Sequence, residues 1–368
     1  MKKIFLGLGF LITLFILVSF YFNCQSASSE FLHKAMWWEE FGGGRVRCQL
    51  CPFRCILEDS EVGQCRVRKN IGGILYTLNY GKIVAAHIDP IEKKPVFHFL
   101  PGTGIFSIAT AGCNLHCKYC QNWAISQRSP SEVEYTYMSP QKIVNLAKAY
   151  HCLSIAYTYS EPVVFYELVY DTAKLAKKEG LYNVMVTAGY INEEPLRELC
   201  KFMDVIKVDL KGYSKDFYRK VVFGDLDVVL KNLKLIKEEG VWLEVVNLVV
   251  PTLNDSEKDI RALCMWIKEN LGDKVPLHFS RFYPMYKLTN LAPTPVETLE
   301  KAYKIAKEVG LKYVYIGNIP GHPYESTYCP KCGKVLIKRR GYQVLENNIV
   351  EGRCKFCGEE IPGIWEEP

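Results

Sequence analysis

The stretch Ile105-Phe106-Ser107-Ile108-Ala109-Thr110-Ala111-Gly112-Cys113-Asn114-Leu115-His116-Cys117-Lys118-Tyr119-Cys120-Gln121-Asn122-Trp123 decides how this chain is read. An apolar, strand-like run leads directly into three cysteines spaced C-x3-C-x2-C. Three thiolates in one short loop can hold three corners of a cubane iron–sulfur cluster, since such clusters are carried on cysteine sulfur. With no fourth cysteine nearby, one iron stays open to an outside ligand. That arrangement points to chemistry at the cluster rather than electron storage. Zinc is the poorer fit, because it normally takes four protein ligands, or three that include His or carboxylate.

Downstream of this loop the pattern turns periodic. Strand-like runs at 105–109, 154–159, 183–187, 205–209, 242–249, 277–282 and 313–317 alternate with helix-like runs at 140–150, 163–179, 194–202, 226–239, 257–270 and 296–309. Ser139-Pro140 and Asp255-Ser256 read as helix starts, and Gly180, Gly240 and Gly310 as helix ends. Strand–helix alternation of this length predicts parallel strands with right-handed crossovers, in a barrel or an open barrel. Ligands then gather at the C-terminal strand ends. The cysteine loop follows the first strand there. Ser160-Glu161, Thr187-Ala188-Gly189, Asp209 with Lys211, Asn254 and Tyr283-Pro284 follow the next five.

Two further cysteine groups flank this core. Cys48, Cys51, Cys55 and Cys65 read as a small metal knuckle, zinc or a second cluster. Cys329, Cys332, Cys354 and Cys357 form two C-x2-C pairs each followed by glycine, which is a zinc-ribbon pattern in a tail unit of its own, with strands expected at 335–340 and 342–345. Cys24, Cys152, Cys200 and Cys264 stand alone and read as small buried hydrophobes. Between the knuckle and the loop, residues 74–88 alternate like a hairpin turning at Asn79-Tyr80-Gly81. The charged turn Asp89-Pro90-Ile91-Glu92-Lys93-Lys94-Pro95 follows, as a solvated loop or one that closes over a substrate. The 368 residues are 49% apolar and 23% charged, as in ordinary globular proteins. A net charge of +6 with no long basic block gives no reason to expect a nucleic-acid partner.

At the N-terminus, residues 4–22 are almost wholly apolar and follow Lys2-Lys3. At ~1.5 Å per residue such a helix approaches the ~30 Å bilayer core. It reads as a membrane anchor or signal-like segment. The lysines weakly favour placing the rest of the chain outside, but the metal-type cysteines call for a reducing compartment. The expectation is a cytoplasmic catalytic domain with a membrane anchor. The division expected is 1–23 anchor, 24–44 linker, 45–104 knuckle and hairpin, 105–325 core and 326–368 ribbon.

The Cys113 loop and the repeat that follows it resemble the radical S-adenosylmethionine (SAM) superfamily, in particular the pyruvate formate-lyase activating enzyme group. Cys48-Gln49-Leu50-Cys51-Pro52, the Asp89–Pro95 turn, Gly112-Cys113-Asn114, Gln121-Asn122-Trp123, Tyr157-Thr158-Tyr159-Ser160-Glu161-Pro162, Lys207-Val208-Asp209-Leu210-Lys211, Val250-Pro251-Thr252-Leu253-Asn254 and the 315–322 run are similar to the radical SAM enzyme of the AmmeMemoRadiSam system. The resemblance implies an α/β fold built as a partial (β/α)6-type barrel. It also implies a [4Fe-4S] cluster on Cys113, Cys117 and Cys120, with SAM at the open iron. Tyr119 would lie beside the adenine, Ser160 and Glu161 at the methionyl amino group, and Asp209 and Lys211 near the carboxylate and ribose, with Asn254 also on the cofactor side. Reductive cleavage of SAM would give a 5′-deoxyadenosyl radical. The implied partners are a protein substrate, of AMMECR1 or Memo type, and an electron donor such as flavodoxin or ferredoxin. Two other readings stand beside this one: the same radical acting on a small molecule or lipid, and a non-catalytic iron–sulfur electron-transfer or metal-sensing protein. Tyr159-Ser160-Glu161 departs from the Gly-Gly-Glu of many relatives.

Overall fold

The computed structural model describes residues 32–368. The apolar run at 4–22, and the anchor expected of it, lie outside the described residues. Among the described residues, no helix is long and apolar enough to cross a membrane.

One eight-stranded sheet organises the molecule. Its strands are β1 (Ala85–Pro90), β2 (Gly104–Ala109), β3 (Ser154–Tyr157), β4 (Tyr182–Thr187), β5 (Val205–Asp209), β6 (Trp242–Val249), β7 (Leu277–Arg281) and β8 (Val314–Gly317), in spatial order β8-β7-β6-β5-β4-β3-β2-β1. β2 to β8 run parallel and β1 runs antiparallel to β2. The sheet stays open, because β1 and β8 do not pair. All seven parallel strands lie where the apolar runs predict them, and they are largely buried on both faces, as covered parallel strands are.

Six helices cover the sheet: α1 (Pro140–Ala149), α2 (Tyr166–Lys178), α3 (Glu193–Cys200), α4 (Leu226–Glu238), α5 (Glu257–Leu271) and α6 (Val296–Val309). Each starts and stops within a few residues of the sequence expectation because the signals are local. Ser139 and Ser256 accept the N–H groups of Lys142 and Asp259 at 3.3 and 3.1 Å, and Gly310 ends α6 in the left-handed region. Helix α2 buries Tyr166, Val169, Ala173 and Ala176, a stripe at helical spacing.

Three expectations fail. Much of the 24–44 linker is folded. His33–Lys34 pairs with Ile74–Thr77, and Trp38–Glu40 pairs with Val46–Cys48. Gly42, Gly43 and Gly44 all have positive φ, so they make the tight turn between those two strands rather than a tether. The hairpin at 74–88 does not form either. Ile74–Thr77 pairs back on Arg68–Ile71 across Gly72-Gly73. β1 joins the main sheet instead, and buried Asn79 donates to Thr110 Oγ1 and Ala111 O at 2.8 and 3.2 Å. The third concerns the tail. Its strands Thr327–Tyr328, Val335–Arg340 and Gln343–Asn347 form a ribbon as predicted, but the ribbon is not independent. Leu336, Ile337 and Ile361 share a buried cluster with Phe97, Tyr313 and Tyr315 of the core. Arg339 donates to Phe97 O at 2.9 Å and lies 3.6 Å from buried Glu92.

Candidate functional site

The Cys113 loop leaves the C-terminal end of β2 and is held from several sides. Gly112 sits at φ +101, and a Cβ there would meet Val67 Cγ1 at 2.6 Å and the Cys65 carbonyl at 2.8 Å. Only glycine fits that approach. Asn114 Nδ2 donates to Tyr190 O at 2.7 Å, and the N–H groups of His116 and Lys118 bond Val222 O and Val221 O. The short helix Trp123–Ser126 closes the loop, with Gly112 N bonded to Ile125 O at 3.0 Å and Ser126 Oγ 3.1 Å from Cys120 Sγ.

The three cysteines face a cavity of about 590 Å³ over the C-terminal ends of the strands. Side chains of alternating strand positions line it: Lys207 and Asp209 of β5, Val246 and Leu248 of β6, Ser280 of β7 and Ile316 of β8. Their sequence neighbours Ile206, Val208, Val245 and Phe279 point into the core. Tyr119, Ser160, Glu161, Asp209 and Lys211 all line this same cavity. Ser160 donates to Thr110 O at 2.7 Å. Buried Glu161 accepts from Thr187 Oγ1 at 2.5 Å and Ala188 N at 2.9 Å, and burial raises its pKa. Asp209 is paired with both Lys207 and Lys211, the latter at 3.0 Å. Burial opposes its ionisation, but the two ammonium groups outweigh that and hold it at about 2.

Asn254 is elsewhere. It does not line the cavity, and its amide is engaged by backbone: Nδ2 donates to Lys211 O and Leu248 O at 2.7 and 2.9 Å, and Oδ1 accepts from Val250 N at 2.6 Å. It braces the segment that carries Lys211.

Of three further contributors, two escape the sequence reading, while the Asp89–Pro95 turn reads there as a solvated loop or one that closes over a substrate. Lys207 is one, although its alternate-residue spacing with Asp209 puts both on one face of β5, with Lys211 two residues beyond it. The second is the Asp89–Pro95 turn, which lies against the cavity. Asp89 accepts from Lys93 at 2.8 Å, Lys94 at 2.5 Å and the Tyr159 hydroxyl, and burial draws the Lys94 pKa down to about 8. Lys93, Lys94 and Tyr159 line the cavity. The third is the ribbon, whose Gly341-Tyr342 turn forms part of the wall. No local signal marks that contact.

The residues present fit a cluster with a ligand in front of it. Burial pushes the Cys113 thiol well above its usual pKa and Cys117 up to about 12. These thiols are free and line the cavity, the sulfur donor set that such a cluster takes. The buried Tyr119 hydroxyl faces the same region with no hydrogen-bond partner, a group awaiting an acceptor or donor. Among the described residues, the tail cysteines Cys329, Cys332, Cys354 and Cys357 are the group whose ligand atoms all lie within 4.8 Å of one another. That is single-ion spacing.

Comparison with known proteins identifies the family. Residues 107–264 match the Radical SAM superfamily model. The uncharacterized protein MJ0808 of Methanocaldococcus jannaschii is 49% identical over 332 residues, covering 90% of this chain and 99% of that protein. The pyruvate formate-lyase-activating enzyme of Clostridium pasteurianum is 27% identical, covering 62% of this chain and 99% of its own. Among solved structures, a radical SAM methyltransferase from Sphaerobacter thermophilus aligns over 62% of this chain and 71% of its own at 13% identity, with a TM-score of 0.47. Membership of the superfamily implies a [4Fe-4S] cluster and SAM. The chain belongs to the radical SAM superfamily, is homologous to the pyruvate formate-lyase activating enzymes, and is an enzyme.

Proposed function

We propose that Cys113, Cys117 and Cys120 hold the [4Fe-4S] cluster and that the enzyme activates or modifies a partner protein by abstracting a hydrogen atom. A cluster and SAM held there would supply one-electron cleavage of the sulfonium and, from it, a radical able to abstract hydrogen. The chain's own residues bind, orient and shield. Tyr119 would flank the adenine, Ser160 and Glu161 would lie at the methionyl amino group, and the Lys207–Asp209–Lys211 row would meet the carboxylate and ribose. The curved sheet, the Asp89–Pro95 turn and Tyr342 of the ribbon keep water from the reacting centre. The single observation that carries this reading is the convergence of the three cysteines, Glu161, Asp209 and Lys211 on one cavity.

A protein substrate is supported by the relatives from Clostridium pasteurianum and Escherichia coli, named for activating pyruvate formate-lyase. A backbone glycine is the natural hydrogen donor in that reading, and AMMECR1-type or Memo-type proteins are the partners to try first. A one-electron donor of the flavodoxin or ferredoxin class supplies the reductant. The tail quartet is assigned zinc, in keeping with its single-ion spacing. The deciding assay is anaerobic. Reconstituted, reduced enzyme given SAM releases 5′-deoxyadenosine, and Cys117→Ala abolishes the release. Cleavage that survives in that variant overturns the cluster assignment.

A further inference from the structure

Lys93, Lys94, Lys207 and Lys211 line the cavity, and they come as two pairs, each built around one aspartate. Asp209 holds Lys207 and Lys211. Asp89 holds Lys93 through Oδ1 at 2.8 Å and Lys94 through Oδ2 at 2.5 Å. Two ammonium groups on one carboxylate leave each pair with a surplus positive charge. The other carboxylates of the wall are engaged elsewhere. Glu92 lies 3.6 Å from the Arg339 guanidinium, and Glu161 takes the Thr187 hydroxyl and the Ala188 N–H. Glu325 takes the N–H groups of Gly321 and Gly341 at 2.8 and 3.0 Å. The surplus at Asp209 meets the SAM carboxylate proposed for it. The surplus at Asp89 has no counterpart in that chemistry.

A second observation concerns unmet donors. The Lys94 side chain is 2% exposed, and its ammonium has three N–H groups to satisfy. Among the described residues its hydrogen-bond acceptor is Asp89 alone, which also takes the Tyr159 hydroxyl. The Tyr159 ring, 4.6 Å from Nζ, meets part of the charge but closes no ordinary hydrogen bond. Unmet donors on a buried charge are costly, and burial already draws the Lys94 pKa down. The partner ring is itself held in place. Tyr159 sits at φ +65, an uncommon conformation for a bulky residue, and its carbonyl accepts from Asn122 Nδ2 at 2.6 Å. Lys93, with 42% of its side chain exposed, makes the pair reachable from solvent.

We propose that Lys93 and Lys94 form a carboxylate subsite in the cavity wall, and that it seats an acidic side chain of the protein substrate close to the residue that gives up hydrogen. A carboxylate there accepts the free N–H groups of Lys94 and neutralises the surplus charge on the pair. Anchored at that point, the substrate segment has its neighbouring residue held within the cavity, which is the orienting role that binding groups play in a reaction of this kind. The exposure of Lys93 favours a carboxylate carried on a protein surface over a free small acid, because one lysine of the pair is met from outside. Recognition of a carboxylate rests on the Asp89 geometry alone. The protein source rests on the partner-protein reading.

Titration calorimetry on the anaerobically reconstituted full chain, saturated with SAM and left unreduced, tests the subsite without turnover. The ligands added are capped Gly-Asp-Gly and Gly-Asn-Gly peptides, glutarate and inorganic phosphate, at low ionic strength. The acidic peptide is expected to bind roughly tenfold or more tightly than its amide twin. Lys94→Met and Lys93→Ala should each remove most of that preference. Lys93→Ala keeps the test decisive if the buried substitution unfolds the chain, since its side chain is half-exposed. Absent or equal binding of the two peptides, or a preference unchanged in Lys93→Ala, overturns the proposal. So does phosphate bound as tightly as the acidic peptide. SAM affinity is read in the same series, so loss of the subsite is told apart from loss of the cofactor reading. Glutarate bound more tightly than the peptide, and lost in Lys93→Ala, overturns the protein source while the carboxylate subsite stands.

Discussion

Replacing Gly112 by alanine isolates the contact between the two cysteine loops. Its φ of +101 is a conformation that an L side chain adopts only under strain, which costs about 1–3 kcal/mol. The new methyl group would also lie 2.6 Å from Val67 Cγ1 and 2.8 Å from the Cys65 carbonyl. The valine can rotate but the carbonyl belongs to the backbone, so the knuckle has to move, at an overpacking cost of about 1–3 kcal/mol. The sum is about 2–6 kcal/mol, or roughly 4–12 °C in Tm at ~2 °C per kcal/mol for a chain of this size. Gly180→Ala is the control. Gly180 has φ +71 but nothing within 4 Å of its Cβ position, so it costs about 1–2 kcal/mol for conformation alone. Thermal unfolding of the anaerobic proteins, with iron content measured in parallel, separates the two terms. Gly112→Ala is expected to melt well below Gly180→Ala and to carry less iron. Equal melting temperatures with full iron would refute the claim that the loops are in backbone contact.

Three further outcomes are expected. Arg68→Met strands Glu167, whose partner lies 2.5 Å away with both side chains buried, and should cost about 3–5 kcal/mol. Adding Glu167→Leu should recover most of it by chemical denaturation, and a double variant no better than the single one counts against a buried-charge penalty. Burial draws the His98 pKa down to about 4, so the unfolded chain, titrating near 6.5, binds the proton first. The contribution to stability is complete above pH 6.5 and is lost as pH falls towards 4. It amounts to about 3 kcal/mol, and a urea midpoint that does not fall between pH 7 and pH 4.5 contradicts it. Cys332→Ser should release the tail metal and make residues 326–368 sensitive to protease, because the ribbon hydrophobics remain but the staple is gone. Resistance equal to the wild type would mean that contacts to Phe97 and Tyr315 suffice.

Much of the site was legible because it is local. The C-x3-C-x2-C loop, the Tyr159-Ser160-Glu161 segment and the Asp209/Lys211 pair each follow a strand whose apolar run is plain, and parallel topology then aligns their loops on one rim. Asn254 misled because its position after β6 is the same kind of signal. Whether its amide faces a ligand or three backbone groups depends on the path of the Lys211 segment, which no nearby residue encodes. The ribbon misled in another way. Its cysteine spacing anticipates that the four thiols come together, but says nothing about what the ribbon rests against.

The amino-acid sequence alone determined the order and type of the main elements, the cluster loop and the tail quartet. Helix and strand periodicity, caps and ligand spacing all act over a few residues. Only the tertiary structure decided which distant groups meet. Tyr159 bonds Asp89 across 70 positions, and Arg339 reaches Phe97 across 242. It also set the Cys65 carbonyl against Gly112, so that the knuckle and the Cys113 loop meet there. Such contacts follow from how the sheet curls and what packs on its two ends. That is a property of the whole packed core, and it has no counterpart in any short stretch of the chain.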